Sequence, residues 1–147
     1  MKRAIAVAVC LLSLLLPCGC RKAEQGGGEV KNVESMAVTF VNGAREADAW
    51  ILPMTEKNLK TTVWGKAVFP KVKKDESLLA AVEKAEDGLY IFRMIDVDEM
   101  YYEANGVRLE EGWTVRIVQS DPYTMQLEVT DENGVLNETY EVFWASL

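Results

Sequence analysis

Hydrophobic and polar positions alternate along much of the chain with the two-residue period of a β-strand. Met36, Val38 and Phe40 share one face of the run Met36 to Val41, and Asn42-Gly43 supplies a turn after it. Ala49 to Pro53 reads as a second strand that ends, or runs along an edge, at its proline, because proline has no N–H to give to a ladder. Thr55 to Lys60 is a polar connection. Thr61 to Gly65 is a short strand with Trp64-Gly65 at its bend, and Ala67 to Val72 is a further apolar piece interrupted by Pro70. Ser77 to Ala85 is made of good helix formers, but both neighbours are strands and a sandwich needs one here, so it is read as extended.

The chain is organised around Gly88 to Val118, which gives three strand-like runs broken at Asp98-Glu99, Asn105-Gly106 and Glu111-Gly112. Leu89 to Val97 is apolar on both faces apart from Arg93, as in a central strand covered from two sides or one carrying a bulge. Met100 to Ala104 follows, and then Trp113 to Val118. Tyr123, Met125, Leu127 and Val129 alternate with polar residues, so Tyr123 to Thr130 is a strand wet on one side and the one to offer a free sheet edge. After a hairpin turn at Asp131 to Gly134, the last strand turns Leu136, Tyr140, Val142 and Trp144 inward. Seven to nine short strands over residues 36–147, with no helix among them, predict an all-β, immunoglobulin-like antiparallel β-sandwich after an N-terminal signal helix.

The first residues follow a different logic. Lys2 and Arg3 precede an apolar run from Ala4 to Leu16, shorter than the ~20 residues a membrane-crossing helix needs, so residues 1–19 read as a secretory signal. The run ends in Leu16-Pro17-Cys18-Gly19-Cys20, where Gly19 and Cys20 resemble the cleavage box of bacterial lipoproteins; Pro17 stands where that box usually has leucine. The resemblance implies that Cys20 is the lipid attachment site and the membrane is one partner. Residues 20–35, with Gly26-Gly27-Gly28, then form a flexible tether. Cys10 and Cys18 would leave with the signal, so the mature domain would hold no free thiol and no disulfide.

Charge and composition narrow the chemistry. The formal net charge is −7 with no histidine, so nothing draws the chain to nucleic-acid phosphates, and no nucleic-acid partner is expected. Without histidine or a free thiol, the familiar Ser-His-Asp and Cys-His machineries are absent, and no cofactor is implied. Carboxylates remain. Asp96, Asp98 and Glu103 are weak candidates for a calcium site or for an acid and base pair acting on a glycosidic bond. Against this, Arg93 lies among apolar residues and needs a carboxylate partner, either Asp96 or Glu103, which makes the group structural. Trp50, Trp64 and Tyr101 are candidate ligand-binding residues, since flat rings near strand ends or on an outer face can stack on sugars; Trp113 and Trp144 obey strand alternation and read as core.

A second resemblance rests on Trp64, Gly65, Tyr90, Phe92, Arg93, Asp96, Asp98, Tyr102, Val107 and Leu109. Over roughly Val38 to Val118 these residues look like a group of uncharacterised bacterial secreted and lipid-anchored β-sandwich domains, with Glu99 where that group tends to have glycine. The resemblance implies fold and location and carries no activity. The expected role is a non-enzymatic binding or structural module at the cell envelope, its protein, cell-wall or glycan partner open; the alternative is a carbohydrate- or calcium-binding module or a carboxylate-dependent hydrolase.

Overall fold

The computed structural model describes residues 32–121 and 124–146. Cys20, the signal and most of the tether lie outside the described residues, as does Tyr123. Two five-stranded sheets form a β-sandwich. The first contains β1 (Ser35–Gly43), β4 (Ser77–Glu83), β7 (Thr114–Asp121), β8 (Thr124–Thr130) and β9 (Leu136–Glu141), in the order β4-β1-β7-β8-β9. The second contains β2 (Ala47–Pro53), β3 (Phe69–Val72), β5 (Leu89–Asp96), β6 (Met100–Arg108) and β10 (Phe143–Ser146), in the order β10-β6-β5-β2-β3.

The alternation seen in the sequence sets the inner faces. Met36, Val38 and Phe40 of β1 and Val115 and Ile117 of β7 meet Ile51 of β2 and Tyr90, Phe92 and Met94 of β5 in one core. Phe40 sits at its centre, with ring centroids 5.5 Å from Phe69 and 5.6 Å from Phe92. Asn42 occupies an inward position of β1 without penalty. Its side-chain amide donates to the carbonyls of Arg45 and Val72, at 2.6 and 2.7 Å, and accepts from the Ala44 N–H at 2.9 Å. The next residue, Gly43, runs so close to β7 that an added Cβ would lie 2.4 Å from the Ile117 carbonyl oxygen.

The ambiguous Ser77 to Ala85 segment is a strand. β4 pairs antiparallel with β1 over seven residues, from Ser35 opposite Glu83 to Val41 opposite Ser77, and that ladder outweighs the helix propensity of its leucines and alanines. β5 is central to the second sheet, as its two-sided apolar pattern predicts.

Other readings are corrected. The described strands number ten, because the final run breaks at the buried Val142 and passes from one sheet to the other as β9 and β10. Leu136 and Trp144 consequently stand 54% and 47% exposed and not in the core. The sandwich is not wholly antiparallel: β1 runs parallel to β7. Asn105-Gly106 is not a turn but a bulge inside β6, with Gly106 at φ +72°, placed where the register shifts against β5. Because of it, the inward residues change from Tyr102 and Ala104 to Val107 and Leu109. Thr55 to Lys60 holds a short helix, α1 (Glu56–Lys60), and Thr61 to Gly65 is loop, not strand. Finally, β8 is paired on both sides, so Thr124 to Thr130 offers no free edge.

Candidate functional site

The outer face of the second sheet gathers all three aromatic candidates. Trp50 of β2 is opposite Arg93 of β5, Arg93 is opposite Glu103 of β6, and Glu103 is opposite Phe143 of β10. Directly opposed residues project to the same face, so these four make one row across four strands. Their parity is opposite to that of Ile51, Phe92 and Tyr102, which point into the core.

The connection after β2 folds over this row. Thr55 caps α1, its hydroxyl oxygen accepting from the Asn58 N–H at 3.1 Å, while the Asn58 side chain donates to the Pro53 carbonyl at 2.8 Å and ties the helix to the end of β2. The chain then brings Thr61 over the sheet. The Thr61 carbonyl accepts from the Trp64 indole N–H at 3.0 Å and from an Arg93 guanidinium N–H at 3.4 Å. Trp64 lies edge-on to Trp50, with centroids 5.2 Å apart, and stacks on Tyr101 at 5.3 Å with 27° between the ring planes. The Arg93 guanidinium carbon is 4.9 Å from the Trp64 ring centre, a cation–π contact.

Beneath the rings lies a charged cluster. The Glu103 carboxylate accepts from Arg93 Nε at 2.7 Å, from the Asn105 amide at 2.7 Å and from the Tyr101 hydroxyl. Burial alone would raise the Glu103 pKa, but the hydrogen bonds from Tyr101, Arg93 and Asn105 together hold it below the ordinary carboxylate value. Tyr101 moves the other way: burial, and then the hydrogen bond to Glu103 and its negative charge, push the phenol up to about 12. Trp50 is 7% exposed, and its indole N–H is buried with no hydrogen-bond partner. An unmet buried donor of this kind costs about 1–3 kcal/mol.

The three candidate acids are not brought together. Asp96 shapes a turn, its Oδ1 accepting from the N–H groups of Asp98 and Met100 at 2.9 and 3.0 Å, and its Oδ2 accepts from the Tyr102 hydroxyl at 3.0 Å. Burial and the Asp96 contact push Tyr102 up to about 12. Asp98 pairs with Arg45 on the surface, and Glu103 lies on the opposite face of the sheet from Asp96. Arg93 thus takes Glu103 as its partner, and not Asp96. Among the described residues no three Asp, Glu, His or Cys side chains are grouped so as to hold a metal ion.

No protein-family model, curated protein or solved structure matches this chain. The site is therefore read from its own geometry. Of the residues that carry the resemblance to secreted β-sandwich domains, Tyr90, Phe92, Val107 and Leu109 are core. Only Trp64 and Arg93 of that set belong to the outer-face cluster.

Sequence reasoning missed Asn105, Phe143 and Thr61 as members of the cluster. Asn105 was hidden by its reading as a turn residue. Phe143 was legible, since it alternates with the residues read as inward, and it stands 67% exposed. Thr61 contributes through its backbone carbonyl, which leaves no trace in the residue type.

Away from this cluster, a concavity of about 170 Å³ opens at one end of the sandwich between Arg45, Asp96, Met100, Tyr102, Met125 and Trp144. Asp96 and Tyr102 are already bonded to each other there and Arg45 to Asp98, so its charged groups are engaged by the chain itself.

Proposed function

We propose that this chain is exported, carries lipid on Cys20 and works outside the cytoplasm as a non-enzymatic binding module, with a carbohydrate as the ligand that its outer face suits best. The observation that carries the reading is the convergence of Trp50, Trp64 and Tyr101 on one sheet face around the Arg93–Glu103 pair. The half-buried rings of Trp64 and Tyr101, backed by the buried Trp50, stand beside a carboxylate and the exposed amide of Asn105 and combine a stacking surface with donors and acceptors for hydroxyl groups. The location rests on the Lys2 to Cys20 pattern alone.

A second reading, that the cluster is a clamp holding residues 54–68 on the sheet, is favoured by the 3% exposure of Arg93 and by the Trp64 N–H being spent on Thr61. A glycan array and a cell-wall pull-down separate the two. The binding reading expects capture by the unaltered chain and its loss in Tyr101→Ala at nearly unchanged secondary structure; failure to retain any glycan leaves the clamp. For location, labelled palmitate should enter the chain and be absent from Cys20→Ser, which should leave the membrane fraction. Equal fractionation of the two would remove the anchor.

A further inference from the structure

We propose that β4 is a dimerisation edge, at which a second copy of this chain adds antiparallel and joins the two first sheets into one. Among the described residues β4 ends its sheet and is paired only with β1. From Ser77 to Val82 it contains no charge, proline or glycine, and Leu79 is 65% exposed. Edges are usually guarded by such residues, and the other three free edges of this sandwich are: β9 carries Glu138 and Glu141, β3 carries Pro70 and Lys71 at φ +49°, and β10 is four residues long.

The backbone direction fixes which groups are free. Lys84 N–H donates to the Glu34 carbonyl and Asn42 N–H to the Glu76 carbonyl, so the even-numbered residues of this strand exchange bonds with β1. Ser77, Leu79, Ala81 and Glu83 therefore present their N–H and C=O groups outward.

One two-fold register uses all of them. With Ala80 opposite Ala80 of the second copy, Leu79 bonds with Ala81 and Ser77 with Glu83, each twice over. Leu78 then sits beside Val82 of the second copy, and Glu76 beside its Lys84. Charge complementarity thus selects a copy of the same chain: the one acid inside the paired strip, Glu83, lies opposite Ser77 of the second copy, and the strip is closed at both ends by a Glu–Lys pair. The same axis directs the Lys73-Lys74 turn toward Glu86 and Asp87 of the second copy.

Sedimentation velocity of the full chain in a non-ionic detergent tests this. Ala81→Pro removes an outward N–H that β1 does not use, so the fold is kept, and its dimer should be weaker by about ten-fold or more. Lys84→Glu should also weaken the dimer, and the exchange Glu76→Lys with Lys84→Glu should restore it. Ala80→Cys, measured beside the unaltered chain, should form a disulfide with itself, whereas Val82→Cys alone should not, because only residue 80 faces its own copy at a non-hydrogen-bonded site. A chain that stays monomeric at all concentrations, or a dimer indifferent to Ala81→Pro with circular dichroism unchanged, overturns the proposal.

Discussion

Arg93 and Glu103 face each other across the β5–β6 ladder, Nε to Oε2 at 2.7 Å, with side chains 3% and 18% exposed. Around this pair the sheet turns a buried cation into a fastening for the loop above it. Glu103→Ala would leave the guanidinium without its anion, and a loss of about 3 kcal/mol or more is expected, the lower end for a broken buried pair because Glu103 keeps some contact with water. Arg93→Met, which leaves no buried charge, should cost less. Urea unfolding of both variants checks the order; a smaller loss for Glu103→Ala would refute the assignment.

The tyrosines give the domain an alkaline limit. Burial, and then the carboxylates of Glu103 and Asp96, push Tyr101 and Tyr102 up to about 12 in the fold, above the ~10 of an unfolded tyrosine. Between those values the unfolded chain has released protons that the folded chain retains, so stability is complete below pH ~10 and falls as pH rises toward ~12. Tyr90 and Tyr140 are also raised by burial. Ultraviolet titration should therefore show tyrosinate forming late and together with unfolding; early ionisation of most tyrosines would contradict the burial described.

At the acid end the sign reverses. The depressed Glu103 pKa means that its contribution is present above the usual carboxylate range and is lost as pH falls through the folded value. In melts below pH ~4 the unaltered chain should lose more stability than Glu103→Gln, which has no carboxylate there to protonate.

Two glycines should respond differently to alanine. At Gly43 the new Cβ meets backbone oxygen at 2.4 Å, and neither β1 nor β7 can retreat without breaking the parallel ladder. Gly65 has φ +67° and open space around it, so Gly65→Ala should cost only the left-handed backbone penalty of about 1–2 kcal/mol. Thermal melts in which Gly43→Ala were the milder change would contradict the close approach.

Trp64→Ala should uncover Trp50 and loosen the loop after α1. A loss of about 2–4 kcal/mol is expected, below that for a fully buried tryptophan since Trp64 is half-buried. The coupled near-ultraviolet circular dichroism of the Trp50 and Trp64 pair should vanish with it. An unchanged spectrum would show that the rings are not in contact.

Much of the fold was legible because hydrophobic patterning is a local property: β1, β7 and β8 each alternate with period two, and the run of β5, apolar on both faces, marks a central strand. What escaped depends on partners distant in sequence. The parallel pairing of β1 with β7, the crossing of the last strand at Val142 and the loss of Trp144 from the core are set by which sheet a segment joins, and residue type does not encode that. Of the site, Trp50 and Tyr101 could be read from their parity against the core. Trp64 reaches them from a loop, and its place follows from the capped helix α1 that a polar composition concealed.

Gly106 also constrains how the domain can change in length. Gly106 is the inserted residue, so excising it would run Asn105 straight into Val107 with Tyr102, Ala104, Val107 and Leu109 still facing the interior, whereas excising Arg108 instead would turn Leu109 outward unless the bulge were given up. Related chains one residue shorter in this stretch should therefore lack the glycine and keep the apolar positions on either side of it.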